Sequence, residues 1–169
     1  MGDPICIAGP TASGKSAVAI KIAERLQGEI ISVDSMQVYR GLDIGTAKPS
    51  EAEQAGIPHH VIDCAGLEET YDAARFVREA TAAERKIERP IYCGGTGLYF
   101  QAWLEGLGES PPAEAAVRAE IEAKSHKEQL VELKAADPET FERIDQQNPR
   151  RVVRALEVIR LTGKPYSEQ

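Results

Sequence analysis

The 169-residue sequence has few aromatic residues, few cysteines and no long apolar run. Aromatic residues make up only 5% of it, which argues against a surface built mainly from rings that stack on nucleic-acid bases. The apolar runs are too short to span a bilayer, so we expect no membrane segment. The cysteines, Cys6, Cys64 and Cys93, have no CxxC spacing. With no signal peptide, we expect reduced thiols in the cytoplasm, and Cys6 and Cys93 buried in apolar strands.

Excess positive charge is also missing, because 27 acidic residues outnumber 20 lysines and arginines and give a net charge of -7. This balance disfavours a general nucleic-acid binder. The segment from Asn148 to Lys164 departs from it, with five basic residues and one acidic residue. Arg150 and Arg154 lie one helical turn apart, with Arg151 beside them. The cluster predicts either a solvated charged face or a face that binds phosphate or RNA.

Strand and helix signals alternate in the first part of the chain. Strands are predicted over 5–8, 29–33, 60–64 and 90–93, with helices over 15–26 and 72–88 and a turn of helix at 50–54. This alternation predicts an α/β fold with a parallel sheet flanked by helices. The GPTASGKS segment at 9–16, a P-loop pattern between a strand and a helix, makes the predicted sheet P-loop NTPase-like. The first strand is predicted to be buried on both faces, because its apolar residues do not alternate.

The character of the sequence changes after Gly106. No strand signal remains beyond Ala113, and helices are predicted over 117–124, 127–135 and 150–161. Asp137 and Asn148 each precede a proline, a pattern typical of an N-cap followed by proline in the first turn. We therefore expect a P-loop core over 1–107 and, over 108–169, a helical insertion or appendage that includes the start of a return to the core.

The strongest motif follows the first predicted strand and matches the phosphate-binding P-loop. Its glycines allow backbone amides to turn toward phosphate oxygens, and the helix that follows directs its positive end at them. Lys15 is expected to bind the terminal phosphates, and the Ser16 hydroxyl to ligate Mg²⁺. The predicted phosphate-binding residues are Gly9, Pro10, Thr11, Ala12, Ser13, Gly14, Lys15 and Ser16.

Polar residues follow two further predicted strands. Asp34 ends the second strand, which lies beside the P-loop strand in most such sheets, and it could bind Mg²⁺, act as a general base, or cap a turn with Ser35. Thr96 follows another strand and could contact a ligand, cap the next helix, or do both. The adjacent His59 and His60 would point to opposite faces of a strand, which favours structural roles over a metal site.

Seven segments together resemble the tRNA dimethylallyltransferases, in the family's order along essentially the whole chain. They are GPTASGKS at 9–16, DSMQVY at 34–39, DIGTAKP at 43–49, HHVID at 59–63, GGTGLY at 94–99, NPRRVVRALEV at 148–158 and TGKP at 162–165. The resemblance implies transfer of a dimethylallyl group from its diphosphate to the exocyclic amine of the adenine 3′ to a tRNA anticodon. It also implies that the P-loop holds the pyrophosphate of the prenyl donor, with Mg²⁺ as cofactor.

The resemblance also implies roles for individual residues. Asp34 is the expected base, with Lys15 and Thr96 completing the catalytic set, and Thr11 and Thr96 hydrogen-bond the pyrophosphate or position the adenine. The target adenine must leave the anticodon-loop stack, a form of base flipping. The residues expected to contact tRNA are Asp34, Ser35, Met36, Gln37, Thr96, Arg118, Arg150, Arg151, Val152, Val153 and Arg154.

Other functions remain open at this stage. A P-loop kinase of a small metabolite or nucleoside monophosphate would have an arginine-bearing lid over the phosphates, for which the arginine cluster could be mistaken. A prenyltransferase acting on free adenine nucleotides and a non-catalytic RNA-binding remnant are further candidates. Family members are longer, so we expect either a fragment or a short member. A complete member is expected to be a monomer. This chain is expected to keep measurable pyrophosphate affinity, to prenylate RNA poorly or not at all, and to self-associate.

Overall fold

The computed structural model describes residues 2–54, 56–108 and 111–168. The chain forms two compact units, Met1–Leu107 and Gly108–Gln169. Across the described residues, all strands belong to the first unit, whereas the second is helical. None of the helices found there is both long enough and apolar enough to cross a membrane.

The first unit is built on a parallel sheet flanked by helices, which confirms the predicted α/β class. Its strands are β1 (Ile5–Ala8), β2 (Glu29–Val33), β3 (His59–His60) and β4 (Pro90–Gly94). Its helices are α1 (Lys15–Leu26), α2 (Glu51–Gln54), α3 (Ala73–Glu84) and α4 (Gly97–Glu105). The strand order is β1-β4-β2-β3, and every neighbouring pair is parallel. The carboxyl ends of the strands therefore share one edge of the sheet, where ligands bind in such folds.

The position of β1 corrects two predictions. Within the described residues β1 pairs only with β4, so it is an edge strand and not buried on both faces. The side chain of Cys6 is accordingly exposed, whereas Cys93 on the central β4 is buried, and burial raises its pKa to about 11. The second correction concerns β2, which lies beside β4 and not beside the P-loop strand.

The strand predicted over 60–64 is reduced to the two residues of β3. Val61 and Asp63 adopt positive φ angles of 57° and 51°, a region that breaks an extended strand. Both histidines have local partners, because His59 Nδ1 lies 2.8 Å from the Ile57 carbonyl oxygen and His60 Nε2 lies 2.6 Å from a Glu29 carboxylate oxygen. These contacts give the pair structural roles.

The β4 strand ends at a glycine that the packing demands. A Cβ atom on Gly94 would lie 2.0 Å from the Val33 carbonyl oxygen, which no side chain can accommodate. The close approach lets the Thr96 amide donate to the same Val33 oxygen at 3.1 Å. Gly94 therefore brings the loops after β2 and β4 together.

Where the structure describes it, the second unit packs four helices and a short 3-10 turn around its own apolar core. They are α5 (Ala115–Glu122), α6 (His126–Ala136), α7 (Pro138–Arg143), α8 (Pro149–Thr162) and the turn Tyr166–Glu168. Both proline pairs act as predicted, because Asp137 accepts from the Thr140 amide and Asn148 accepts from the Arg151 amide. The buried core residues are Ile121, Leu133, Val152, Val153, Ala155 and Leu156.

Candidate phosphate-binding site

The P-loop turns between β1 and α1 with two residues in the left-handed region. Gly14 has φ 82° and Ala12 has φ 64°, a conformation that alanine rarely adopts. Gly14 provides no side-chain cap to α1, whose first turn also contains no acidic residue. The first amides of α1 are thus left for an anion, and the helix dipole favours negative charge there.

A cavity of about 260 Å³ opens at this turn. Its volume is slightly below the usual range for ligand pockets, about 300 to 1,000 Å³, which suits a small polar group. Lys15 reaches it with an ammonium group that donates to the Pro10 carbonyl oxygen at 3.1 Å. The lining residues are Thr11, Ala12, Gly14, Lys15, Ser16, Asp34, Gln37, Thr46 and Ala47. The structure thus brings much of the predicted P-loop and Asp34 to one cavity.

Asp34 both shapes a turn and faces the cavity. Its Oδ1 accepts from the Met36 amide at 2.9 Å and from the Gln37 amide at 3.3 Å. Its second oxygen, Oδ2, has no hydrogen-bond partner among the described residues. The turn fixes the half-buried carboxylate through one oxygen and leaves the other for a ligand, a metal ion or a proton.

Thr96 occupies the predicted N-cap position of α4, but its side chain makes no capping hydrogen bond to the helix. Its hydroxyl oxygen instead accepts from the Ser35 amide at 2.9 Å. The bond links the loop after β4 to the loop after β2, while the hydroxyl proton stays available to a ligand. Thr96 itself is not among the residues that line the cavity.

Two cavity residues, Thr46 and Ala47, had no role assigned from the sequence beyond membership of the DIGTAKP segment. Gln37 holds both, because its Nε2 donates to the Thr46 carbonyl oxygen at 3.1 Å and to the Ala47 carbonyl oxygen at 3.2 Å. The Ser32 hydroxyl donates to the Gln37 Oε1 at 3.0 Å. Both the oxygen and the nitrogen of the Gln37 side-chain amide are therefore hydrogen-bonded, and these bonds hold the cavity wall in place.

Oxygen groups at the cavity fit a magnesium ion shared with a phosphate. The Ser16 hydroxyl and the Asp34 carboxylate both line it. Mg²⁺ commonly keeps waters and takes one or two protein oxygens together with substrate phosphates. No group of three or more His, Cys, Asp or Glu residues in the described ranges could hold a metal ion by itself. Ser16 and Asp34 thus fit a magnesium ion that binds together with a phosphate ligand.

The predicted RNA-contacting arginines of the second unit fall into two groups. Arg150 and Arg151 are exposed, and their side chains have no partner among the described residues. Arg154 and Arg118 instead bind the carboxylate of Glu157, at 3.0 and 2.9 Å.

Glu157 was counted in the sequence only as the lone acidic residue among the arginines. It is fully buried and accepts a third hydrogen bond, from the Glu114 amide at 2.9 Å. Burial would raise the pKa of Glu157, but its three hydrogen bonds outweigh burial and hold that pKa below its ordinary value. Val152 and Val153 are also buried, which suits support of the arginine helix better than direct contact.

The fold and the cavity define a P-loop α/β protein in which Asp34 lines the same cavity as the P-loop. The family model described as IPP transferase matches residues 37–169. A tRNA dimethylallyltransferase of Halorhodospira halophila is 53% identical, over 97% of this chain and 56% of that protein. The chain belongs to the IPP transferase family and spans about half the length of the curated relatives it matches.

Two solved structures agree with this assignment. A eukaryotic dimethylallyltransferase studied while acting on tRNA superposes with a TM-score of 0.82 at 34% identity, over 99% of this chain and 44% of that one. The tRNA isopentenylpyrophosphate transferase of Bacillus halodurans gives a TM-score of 0.63 at 41% identity, over 98% and 58% of the two chains. These likenesses confirm the predicted P-loop NTPase-like fold.

Proposed function

We propose that this chain carries the donor site and the catalytic carboxylate of a tRNA dimethylallyltransferase. The reaction transfers a dimethylallyl group from dimethylallyl diphosphate to the exocyclic amine of the adenine 3′ to the anticodon. The observation that carries the proposal is the single cavity that joins the Lys15 ammonium, the Ser16 hydroxyl and the Asp34 carboxylate. A diphosphate leaving group needs the first two, and an attacking amine needs the third.

In the proposed reaction, the adenine N6 attacks C1 of the dimethylallyl group, the C1–O bond breaks, and the electron pair of that bond leaves with pyrophosphate. Lys15 and the first amides of α1 bind the pyrophosphate and stabilise the charge that develops on it. Asp34 accepts the N6 proton on Oδ2, since Oδ1 already holds the turn at Met36. Mg²⁺, held by the Ser16 hydroxyl and the phosphates, would add further positive charge against the leaving group.

Contacts around the reacting groups are part of the same proposal. The Thr11 and Thr96 hydroxyls hydrogen-bond the pyrophosphate or position the adenine. Asp34 to Gln37, Arg150 and Arg151 contact the anticodon stem-loop, and Arg118 and Arg154 support the arginine helix through Glu157. We also propose a cytoplasmic location. Self-association of this chain, and a monomeric state at full family length, stay predictions that sedimentation tests.

The function is tested with labelled dimethylallyl diphosphate and Mg²⁺, offered with an anticodon stem-loop or with AMP. The chain is compared with a version extended by the carboxyl-terminal part of the Halorhodospira halophila relative. We expect label in the RNA, with faster transfer by the extended protein. Label in AMP would assign a nucleotide prenyltransferase, and phosphoryl transfer from ATP in a parallel reaction would assign a kinase. Stem-loop binding with no transfer by either protein would assign an RNA-binding remnant.

A further inference from the structure

The loop after β2 contains a buried ammonium group that lies outside the catalytic set. The Lys48 side chain is only 5% exposed. Its Nζ donates to the Tyr39 carbonyl oxygen at 2.9 Å, to Asp43 Oδ1 at 2.8 Å and to Asp63 Oδ1 at 2.6 Å. Burial works to lower the pKa of Lys48, but the bonds to the two aspartates outweigh it and raise that pKa. The group is therefore a permanent cation with all three donors used.

The three partners of Lys48 lie in separate segments at the carboxyl edge of the sheet. Tyr39 follows the turn that Asp34 holds, Asp43 opens the 43–48 segment, and Asp63 lies in the loop after β3. The Asp63 amide in turn donates to the Gln37 carbonyl oxygen at 3.1 Å. One ammonium thus connects the loops that follow β2 and β3.

The 43–48 segment supplies part of the wall of the phosphate cavity. Thr46 and Ala47 line that cavity, and Lys48 is the next residue along the chain. Ala47 has a φ of 49°, which an alanine adopts only when its surroundings hold it there. Gln37 fixes the two carbonyl groups of this wall, and Lys48 fixes its far end.

We propose that Lys48 is a positioning residue for the donor phosphate site. Its ammonium holds Thr46 and Ala47 at the cavity wall and ties that wall to the turn that carries Asp34. Lys48 does not line the phosphate cavity, so it acts through these residues and not on the phosphate. The inference rests on the proposed function in one respect, that this cavity receives the donor diphosphate.

The variant that tests the proposal is Lys48→Met, which removes the charge while keeping a long apolar side chain. Asp43 and Asp63 are 65% and 45% exposed, so water can solvate both carboxylates and the fold survives. By calorimetry we expect Mg²⁺–pyrophosphate to bind about tenfold more weakly, the lower end of the usual cost of losing an outer support. Lys86→Met is the matched control, because Lys86 is exposed, and its affinity should equal that of the unaltered chain.

Two further measurements separate positioning from general stability. Amide hydrogen exchange at Asp63 and Ala65, whose amides bind the 37–38 carbonyls, should accelerate in Lys48→Met, while exchange in α1 stays unchanged. Asp63→Asn should weaken pyrophosphate binding by itself. It should add little in the Lys48→Met background, because both changes break the same contact between Lys48 and Asp63.

Equal pyrophosphate affinity in the Lys48→Met and unaltered proteins would overturn the inference and leave the proposed function intact. Faster exchange throughout the sheet would also overturn it, since that result indicates lost global stability. Absence of pyrophosphate binding by the unaltered chain would refute the proposed function itself, and the inference with it.

Discussion

Asp137 allows a stability prediction whose size follows from the structure. The carboxylate is almost fully buried, accepts from the Thr140 amide at 3.0 Å, and binds the Ser167 amide and hydroxyl at 2.9 and 3.0 Å. Burial alone would raise the pKa of Asp137, but the hydrogen bonds from Thr140 and Ser167 outweigh it and lower that pKa from 3.8 to about 2. At about 1.4 kcal/mol per pKa unit, ionisation of this group stabilises the second unit by roughly 2 to 3 kcal/mol.

The pH dependence follows from the sign of that change. Between pH 3.8 and 2 the unfolded chain binds a proton at this carboxylate that the folded chain does not. The contribution of the Asp137 carboxylate to the free energy of unfolding is therefore complete above pH 3.8 and is lost as the pH falls toward 2. Asp137→Asn should lower the unfolding free energy by roughly 2 to 3 kcal/mol at pH 6, and the difference from the unaltered chain should shrink below pH 4.

The assay is urea unfolding followed through amide resonances of α7 and α8, at several pH values. Glu122→Gln serves as the control, because Glu122 is exposed on α5 and has no hydrogen-bond or ion-pair partner among the described residues. The control should follow the unaltered chain at every pH. A difference between Asp137→Asn and the unaltered chain that stays constant from pH 6 to pH 2 would refute the reasoning. It would mean that neutral side-chain packing, and not ionisation, accounts for the loss.

Three further predictions concern the site and its frame. Asp34→Asn should slow single-turnover transfer by roughly a hundredfold in the extended protein, with donor affinity nearly unchanged, and a rate close to that of the unaltered protein would contradict a role as base. Replacing Arg150 and Arg151 by Gln should reduce the log–log salt slope of stem-loop binding by one to two units, at roughly 0.7 to 0.9 per phosphate contact, and an unchanged slope would leave them a solvated face. Gly94→Ala should cost about 3 kcal/mol or more of unfolding free energy, and a thermal unfolding midpoint like that of the unaltered chain would disprove the close contact with Val33.

Local signals made much of the fold predictable from the sequence. The strand, glycine turn and helix around Lys15 follow from an apolar run, a phosphate-binding pattern and helical periodicity that agree with one another. Asp137 and Asn148, each followed by proline, mark the starts of α7 and α8. This pattern is predictable because a capping side chain and a proline in the first turn act only on neighbouring residues. Asp34 was identifiable as a site candidate because it ends a strand whose carboxyl edge binds ligands.

Features that depend on long-range contacts were not predictable in the same way. The edge position of β1 and the exposure of Cys6 follow from strand order, and the hydrophobic pattern of a single strand does not encode that order. The burial of Glu157 depends on contacts with Glu114 and Arg118, about 40 residues away. The cavity wall at Ala47 depends on a positive φ at a non-glycine residue, for which the sequence carries no signal.

The most direct test of the central claim is which ligand the P-loop cavity binds. Calorimetric titration with dimethylallyl diphosphate in the presence of Mg²⁺ should show binding, and inorganic pyrophosphate should compete for the same site. Lys15→Ala should abolish both while leaving the circular dichroism spectrum unchanged, because the Lys15 charge serves the ligand and not the core. Tight binding of ATP with no affinity for dimethylallyl diphosphate, or undiminished donor binding by a folded Lys15→Ala protein, would contradict the account.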